Sequence, residues 1–208
     1  MSATVAFLDT LFHDALVLFA MVNAVGNLPL FADLTRGLPS CERAACLRRG
    51  TLTAAGIVIA FALFGHWMLA DVFRVEAGAF QIAGGVLVFT VAARGMLLGP
   101  KSAVRSRSRV SDDLAVFPLG FPYLAGPGTI VTTILLMQAH GPLSAALAAL
   151  LVYAAVLPVL HAAPLLERAA GKVSVLVVAR ILYIFIAAKA VAFIVNGARS
   201  LLAAAPAV

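Results

Sequence analysis

Apolar stretches follow one another along the chain at roughly Val5–Phe31, Thr51–Leu69, Gly78–Leu98, Ala115–Gln138, Leu143–Leu165 and Val175–Leu201, with charged residues gathered between them. Each approaches or exceeds the roughly 20 residues that carry a helix across about 30 Å of hydrocarbon. No water completes a backbone hydrogen bond in lipid, so helices are expected and strands are not. The expected fold class is all-α: a polytopic membrane protein of six transmembrane helices. Six spans with short connections use nearly all of the 208 residues, so one integral membrane domain, 1–208, is expected.

Composition agrees: 63% hydrophobic and 12% charged residues, with mean hydropathy +1.06, cannot pack as an ordinary water-soluble globule. The net charge of +6 would suggest nucleic acid in a soluble protein. Here the basic residues sit between apolar runs with no interleaved aromatics, which reads as topology signal and contact with anionic membrane lipid instead of nucleic-acid binding. Alternate connections carry Arg36, Arg43, Arg48 and Arg49, then Arg94, Lys101, Arg105, Arg107 and Arg109, then Arg168, Lys172 and Arg180. The opposite side has Arg74 and Arg199. That asymmetry places the basic loops in the cytoplasm and both termini outside it. The N-terminus carries Asp9, His13 and Asp14 but no Lys or Arg before the first run, so a cleavable signal peptide is not expected. Cys41 and Cys46 lack the further ligands of a tetrahedral metal site and are expected as free thiols.

The basic segment 99–113, with Lys101-Ser-Ala-Val-Arg-Ser-Arg-Ser-Arg109, reads as a cytoplasmic linker between halves at about 1–98 and 114–208. Three spans per half is odd, so the second half enters the membrane inverted relative to the first. This is the arithmetic of two inverted three-helix repeats.

The leading span of each half is interrupted. The first contains Asn23-Ala-Val-Gly26-Asn27-Leu-Pro29, and the fourth contains Pro118-Leu-Gly120-Phe-Pro122 followed by Gly126-Pro127-Gly128-Thr129. Proline removes a backbone donor and crowds the preceding turn, while glycine admits conformations outside the helix. Both segments are expected to unwind. Taking Asp14 and Arg36 as the flanks of the first span, and Asp113 and His140 as those of the fourth, puts both breaks near mid-bilayer. Irregular backbone is tolerated at that depth only where it is buried in protein or lines a cavity. A single break would read as an ordinary kink; two at corresponding places read as a substrate or ion pathway. Lys189 lies deep in the last span, too far from either end to snorkel out fully, and is expected to face the cavity between the halves. Gly56 and Gly84-Gly85 read as close-packing positions, and His66, Trp67, Asp71, His140 and His161 as interfacial anchors. No Ser/His/Asp group, paired carboxylate or His cluster falls within the spans, so no enzyme activity is expected.

At the two breaks the chain resembles the MarC family of bacterial inner-membrane proteins, also grouped with small neutral amino acid transporters. The resemblance rests on Asn23, Gly26, Asn27, Pro29 and Phe31 in the first span, and on Pro118, Leu119, Pro122 and the run Ala125-Gly-Pro-Gly-Thr129-Ile130 in the fourth. It continues through Ile82-Ala-Gly-Gly85, Arg94 and Asn196-Gly197. The chain departs from the family pattern at Ala24, where Pro is usual, at Gln81, where Arg is usual, and at Lys189, where an apolar residue is usual.

The resemblance implies a multi-pass inner-membrane protein and, for some members, activity towards glycine, alanine and related solutes. The function expected is a secondary transporter or exporter of small neutral amino acids with no cofactor, Na⁺ or proton coupling being left open. The alternatives are a membrane interaction or sensor protein, and a channel for a small polar solute. The expected substrate-binding residues are Asn23, Gly26, Asn27, Pro29, Ala125, Gly126, Pro127, Gly128, Thr129 and Lys189. The backbone from Gly126 to Thr129 would take the carboxylate, and Asn23 and Asn27 the ammonium group or a coupling ion.

Overall fold

Apolar sequence becomes helix throughout the described part of the chain, which in this computed structural model comprises residues 3–28, 31, 35, 38–98 and 115–204. In order these form α1 (Ala3–Val22), α2 (Ser40–Trp67), α3 (Ala77–Leu98), α4 (Pro127–His140), α5 (Pro142–His161) and α6 (Ala163–Ala204). Wider π-helical turns occupy Met68–Val72 and Ala115–Leu124, and no strand occurs among the described residues. Five helical stretches are long and apolar enough to cross a membrane: Thr4–Val22, Ser40–Val72, Ala77–Leu97, Pro142–His161 and Leu176–Ala203. The stretch expected as the fourth span is helical in two shorter pieces, Ala115–Leu124 and α4, and is not among these five. The expected linker 99–113 lies outside the described residues.

Two boundaries differ from expectation. α2 begins at Ser40, well ahead of the apolar run at Thr51, because Pro39 sits outside the first turn with φ −55° and ψ 152° while Glu42 occupies that turn. The Ala, Leu and Arg residues that follow are strong helix formers. Hydropathy marks where lipid begins, whereas the helix continues into the polar layer. The connection expected between the fifth and sixth spans is likewise helical on both sides of Gly171, where φ 78° and ψ 151° turn the chain at one residue. Only glycine takes that conformation at little cost.

The longest packed seam joins α3 to α6. Small residues let the backbones approach: a Cβ on Gly85 would stand 2.8 Å from the Ala190 carbonyl oxygen, and one on Gly197 would stand 2.6 Å from that of Gly78. Gly84 lies tight against Val131 of α4, so the Gly84-Gly85 pair packs as expected. Gly56 does not, since a Cβ there meets nothing within 4 Å. On the other side, α2 packs on α5 and on Ala115–Leu124, and α1 packs on α5. α4 touches α1, α2, α3 and α5.

The result is two main cores. One holds Leu18, Phe31, Leu47, Val58, Leu119, Leu124 and Val156; the other holds Met21, Val88, Ala92, Val131, Tyr183, Ile186 and Phe193. Leu63, Phe64, Leu87, Val91, Leu150, Leu151, Ile184 and Phe185 are exposed on the outer faces, the pattern of helices whose solvent is lipid.

Candidate functional site: a cavity between two helix breaks

α1 ends at Asn23, whose φ of 50° places it in the left-handed region that asparagine tolerates better than most residues. The following turn runs to Asn27, after which i to i−4 bonds recur, from the Phe31 N–H to the Asn27 carbonyl at 3.0 Å and from the Thr35 N–H to the Phe31 carbonyl at 3.1 Å. The first apolar run is therefore broken after Val22 and carries helical bonds again at Phe31 and Thr35. Gly26 is required by this geometry, because the Asn23 amide fills the space that a Cβ on Gly26 would occupy. Asn23 is buried, yet neither its Oδ1 nor its Nδ2 has a hydrogen-bond partner. Asn27 is more settled: its Oδ1 accepts from the Tyr183 hydroxyl at 3.3 Å.

The second break follows Leu124. The Ala125 N–H reaches back to the Gly120 carbonyl at 2.9 Å, Gly126 is extended with φ −77° and ψ 172°, and α4 starts at Pro127. Proline is well placed at a first helical position, where an N–H would have no intrahelical acceptor. The next two N–H groups, of Gly128 and Thr129, are free of helical bonding by the same rule. The first i to i−4 bond of α4 runs from Ile130 to Gly126 at 3.0 Å. The Leu124 carbonyl released by the break accepts from the Tyr153 hydroxyl at 2.9 Å. Gly126 cannot carry a side chain without a shift, since its Cβ would stand 2.7 Å from the Pro122 carbonyl oxygen.

The two breaks share one cavity of about 260 Å³. Asn23 and Asn27 line it from the first break, and Gly126, Pro127, Gly128 and Thr129 from the second. Val88, Ala92, Tyr183 and Ile186, contributed by α3 and α6, close the remaining side. The walls are apolar apart from the Asn23 and Asn27 amides, Tyr123, Tyr183 and Thr129, and a helix N-terminus whose partial positive charge favours anions. Such a site can hold a small solute carrying both a negative group and a hydrogen-bond donor. Among the described residues no three His, Cys, Asp or Glu side chains stand close enough together to hold a metal ion.

The remaining expected residues fall elsewhere. Gly26 and Ala125 back the site without lining it, and Pro29 lies outside the described residues. Lys189 is exposed in a separate groove of about 520 Å³ between α1 and α6, beside His13. The cause is helical phase: Tyr183, Ile186, Ala190 and Phe193 follow the 3-4-3 spacing of one buried face, and Lys189 projects from its edge. Asp14, used above as a polar flank of the first span, is instead wholly buried and bound to His140. Tyr153 and Tyr183 passed unnoticed in the sequence. Their signal was a phenol within an apolar span, where the hydroxyl needs a partner.

Comparison with known proteins bears on what this cavity belongs to. Residues 8–202 match the model of the family described as MarC family integral membrane protein. Among curated relatives, the chain is 31% identical over 200 residues to UPF0056 membrane protein YvbG of Bacillus subtilis, covering 91% of this chain and 94% of the relative. It is 35% identical over 201 residues to a UPF0056 membrane protein of Archaeoglobus fulgidus, covering 92% and 93%. It is 30% identical over 201 residues to UPF0056 membrane protein YhcE of Escherichia coli, covering 88% and 89%. No solved structure matches. The chain thus belongs to the MarC family of multi-pass integral membrane proteins.

Proposed function

We propose that this protein is a secondary transporter or exporter of small neutral amino acids of the glycine and alanine class, binding its substrate in the cavity between the two breaks. The observation that carries the reading is the Asn23 amide, buried with both polar atoms unpartnered in the wall that faces the α4 N-terminus across the cavity. An unsatisfied buried polar group costs about 1–3 kcal/mol. A protein retains that cost where a ligand removes it. The substrate carboxylate accepts from the N–H groups of Gly128 and Thr129, and its ammonium donates to Asn23 Oδ1. The volume lies just below the ~300–1,000 Å³ of ordinary ligand sites, which favours a small solute over a drug-sized one. Binding and passage require no bond-making, so the reading assigns no enzyme activity.

In this reading the chain is two inverted three-helix repeats with broken first and fourth spans. Helix pairing supports it, because α3 packs on α6, α2 on α5 and α1 on α4, each on the helix that a two-fold axis in the membrane plane would exchange with it. The 2.8 Å contact between Asp14 of α1 and His140 at the end of α4 adds a parity argument. The two residues share one face only if the chain crosses an even number of times between them, which supports a crossing at 115–140. Rocking of one three-helix half against the other, which parts α1 from α4, then exposes the cavity to either side. The reading places the protein in the bacterial inner membrane with both termini outside the cytoplasm, and sets Na⁺ or proton coupling as the driving force.

The test is flux. Purified protein in proteoliposomes is expected to show saturable ¹⁴C-alanine and ¹⁴C-glycine uptake that unlabelled alanine inhibits and arginine does not. Absence of saturable uptake under every imposed Na⁺ and proton gradient would remove the substrate class and leave a membrane scaffold as the better reading.

A further inference from the structure

α1 and α4 meet a second time, away from the cavity. Asp14 lies about nine residues before Asn23, roughly 13 Å along the helix axis. Its side chain is 1% exposed, and its Oδ2 is 2.8 Å from Nδ1 of His140, the last residue of α4. Oδ1 is equally buried and has no partner. The His140 side chain is 39% exposed, so the pair has one dry member and one open to water.

The surrounding groups leave this pair to itself. On α1, Asp9 is exposed and His13 lines the groove of Lys189. α5 brings Ser144, buried with an unpartnered hydroxyl, then Tyr153, committed to the Leu124 carbonyl, and His161, bonded to the Leu157 carbonyl at 2.8 Å. From α2 and the turn after it, His66, Asp71 and Arg74 are exposed, as are Arg94 of α3 and Lys189, Arg180 and Arg199 of α6. Among the described residues, the one ion-pair partner of Asp14 is His140.

We propose that Asp14 and His140 form a proton-binding site that couples proton movement to the parting of α1 and α4, and so drives transport through the cavity. The inference rests on the transport reading above. With neutral imidazole the pair carries a net negative charge on a dry carboxylate with one oxygen unsatisfied, which opposes close packing. A hydronium ion on the open side gives its proton to the exposed imidazole. The pair becomes neutral as a whole, and the hydrogen bond between imidazolium and carboxylate holds the two helices together. When the helices part and water reaches Asp14, the same proton leaves to water. No other reactant is required. A hard metal cation fits poorly, because it needs about six oxygen ligands and Asp14 offers one free oxygen beside a nitrogen. Since these two helices carry both breaks, their separation changes the cavity directly.

Two arms separate this site from the transport reading. In proteoliposomes, a gradient of about one pH unit at one proton per substrate drives about tenfold accumulation of alanine. Asp14→Asn is expected to reduce that ratio to about one, and accumulation equal to wild type would overturn the proposal. In micelles, ¹⁵N-histidine NMR of the full chain, with His140 assigned from its absence in His140→Gln, is expected to show a ring-nitrogen response to pH that differs between wild type and Asp14→Asn. This arm needs no substrate. If wild type moves no alanine, the transport reading falls and the NMR arm decides alone: identical His140 responses to pH in the two proteins overturn the proton site. Should Asp14→Asn fail to assemble, His140→Gln keeps a hydrogen-bonding group, and accumulation in that variant equal to wild type overturns the proposal.

Discussion

Replacing Asn23 separates a residue kept for structure from one kept for a ligand. In Asn23→Ala the two buried, unpartnered polar atoms vanish, which removes desolvation costs of about 1–3 kcal/mol per group. Against this, alanine at φ 50° is strained by about 1 kcal/mol, and the vacated amide leaves a small void. The relieved desolvation equals or exceeds these costs, so Asn23→Ala is expected to be at least as stable as wild type. Asn23→Gly removes the backbone strain as well and is expected to be the more stable of the two. Transport, by contrast, loses the acceptor for the substrate ammonium, a charge-assisted bond worth about 1.5–3 kcal/mol, or roughly ten- to hundredfold in alanine kcat/KM. Thermal unfolding in detergent and initial uptake rates per folded protein give both quantities. The reasoning is refuted if Asn23→Ala unfolds far more readily than wild type while the folded fraction transports normally, for the amide would then be structural.

Other positions give sharper signs. Gly126→Ala is expected to cost more than about 2 kcal/mol, because its Cβ would meet the Pro122 carbonyl oxygen at 2.7 Å; a melt in detergent measures it. Gly56→Ala, with nothing within 4 Å of the new methyl, is expected to leave stability unchanged or raise it by up to about 1 kcal/mol in the same melt. Tyr153→Phe leaves the Leu124 carbonyl with only the long 3.5 Å bond from the Thr129 hydroxyl and is expected to cost about 1–2 kcal/mol, whereas Tyr183→Phe frees Asn27 Oδ1 across a 3.3 Å bond and is expected to alter alanine KM more than stability. Lys189→Met, in its own groove, is expected to leave alanine KM unchanged in uptake assays.

The breaks were legible in the sequence because their cause is local: Asn23, Gly26 and Asn27, and Gly126, Pro127 and Gly128, act on the backbone within one or two turns. The membrane runs were legible for the same reason. What escaped depends on partners far along the chain. Asp14 looks like the polar flank of an apolar run until α4 brings His140 against it, 126 positions away. The Tyr183 hydroxyl gains meaning only when Asn27 arrives from 156 positions away. Lys189 was misplaced because depth in the membrane is set by position along the helix, while facing is set by rotation about it. A lysine at the right height projected from the edge of the buried stripe. The early start of α2 escaped because hydropathy reports lipid contact, whereas capping and propensity decide where a helix begins.

The central claim, that substrate sits between the two breaks with its carboxylate on the α4 N-terminus, is most directly tested by dipolar-recoupling solid-state NMR. The measurement pairs carboxyl-¹³C alanine with ¹⁵N-labelled protein in lipid. The account predicts contacts from the alanine carboxyl to the Gly128 and Thr129 amides at hydrogen-bond range, about 3 Å from oxygen to nitrogen, and none to Lys189. A carboxyl contact to the Lys189 ammonium instead, or specific binding that leaves both amides untouched, would contradict it.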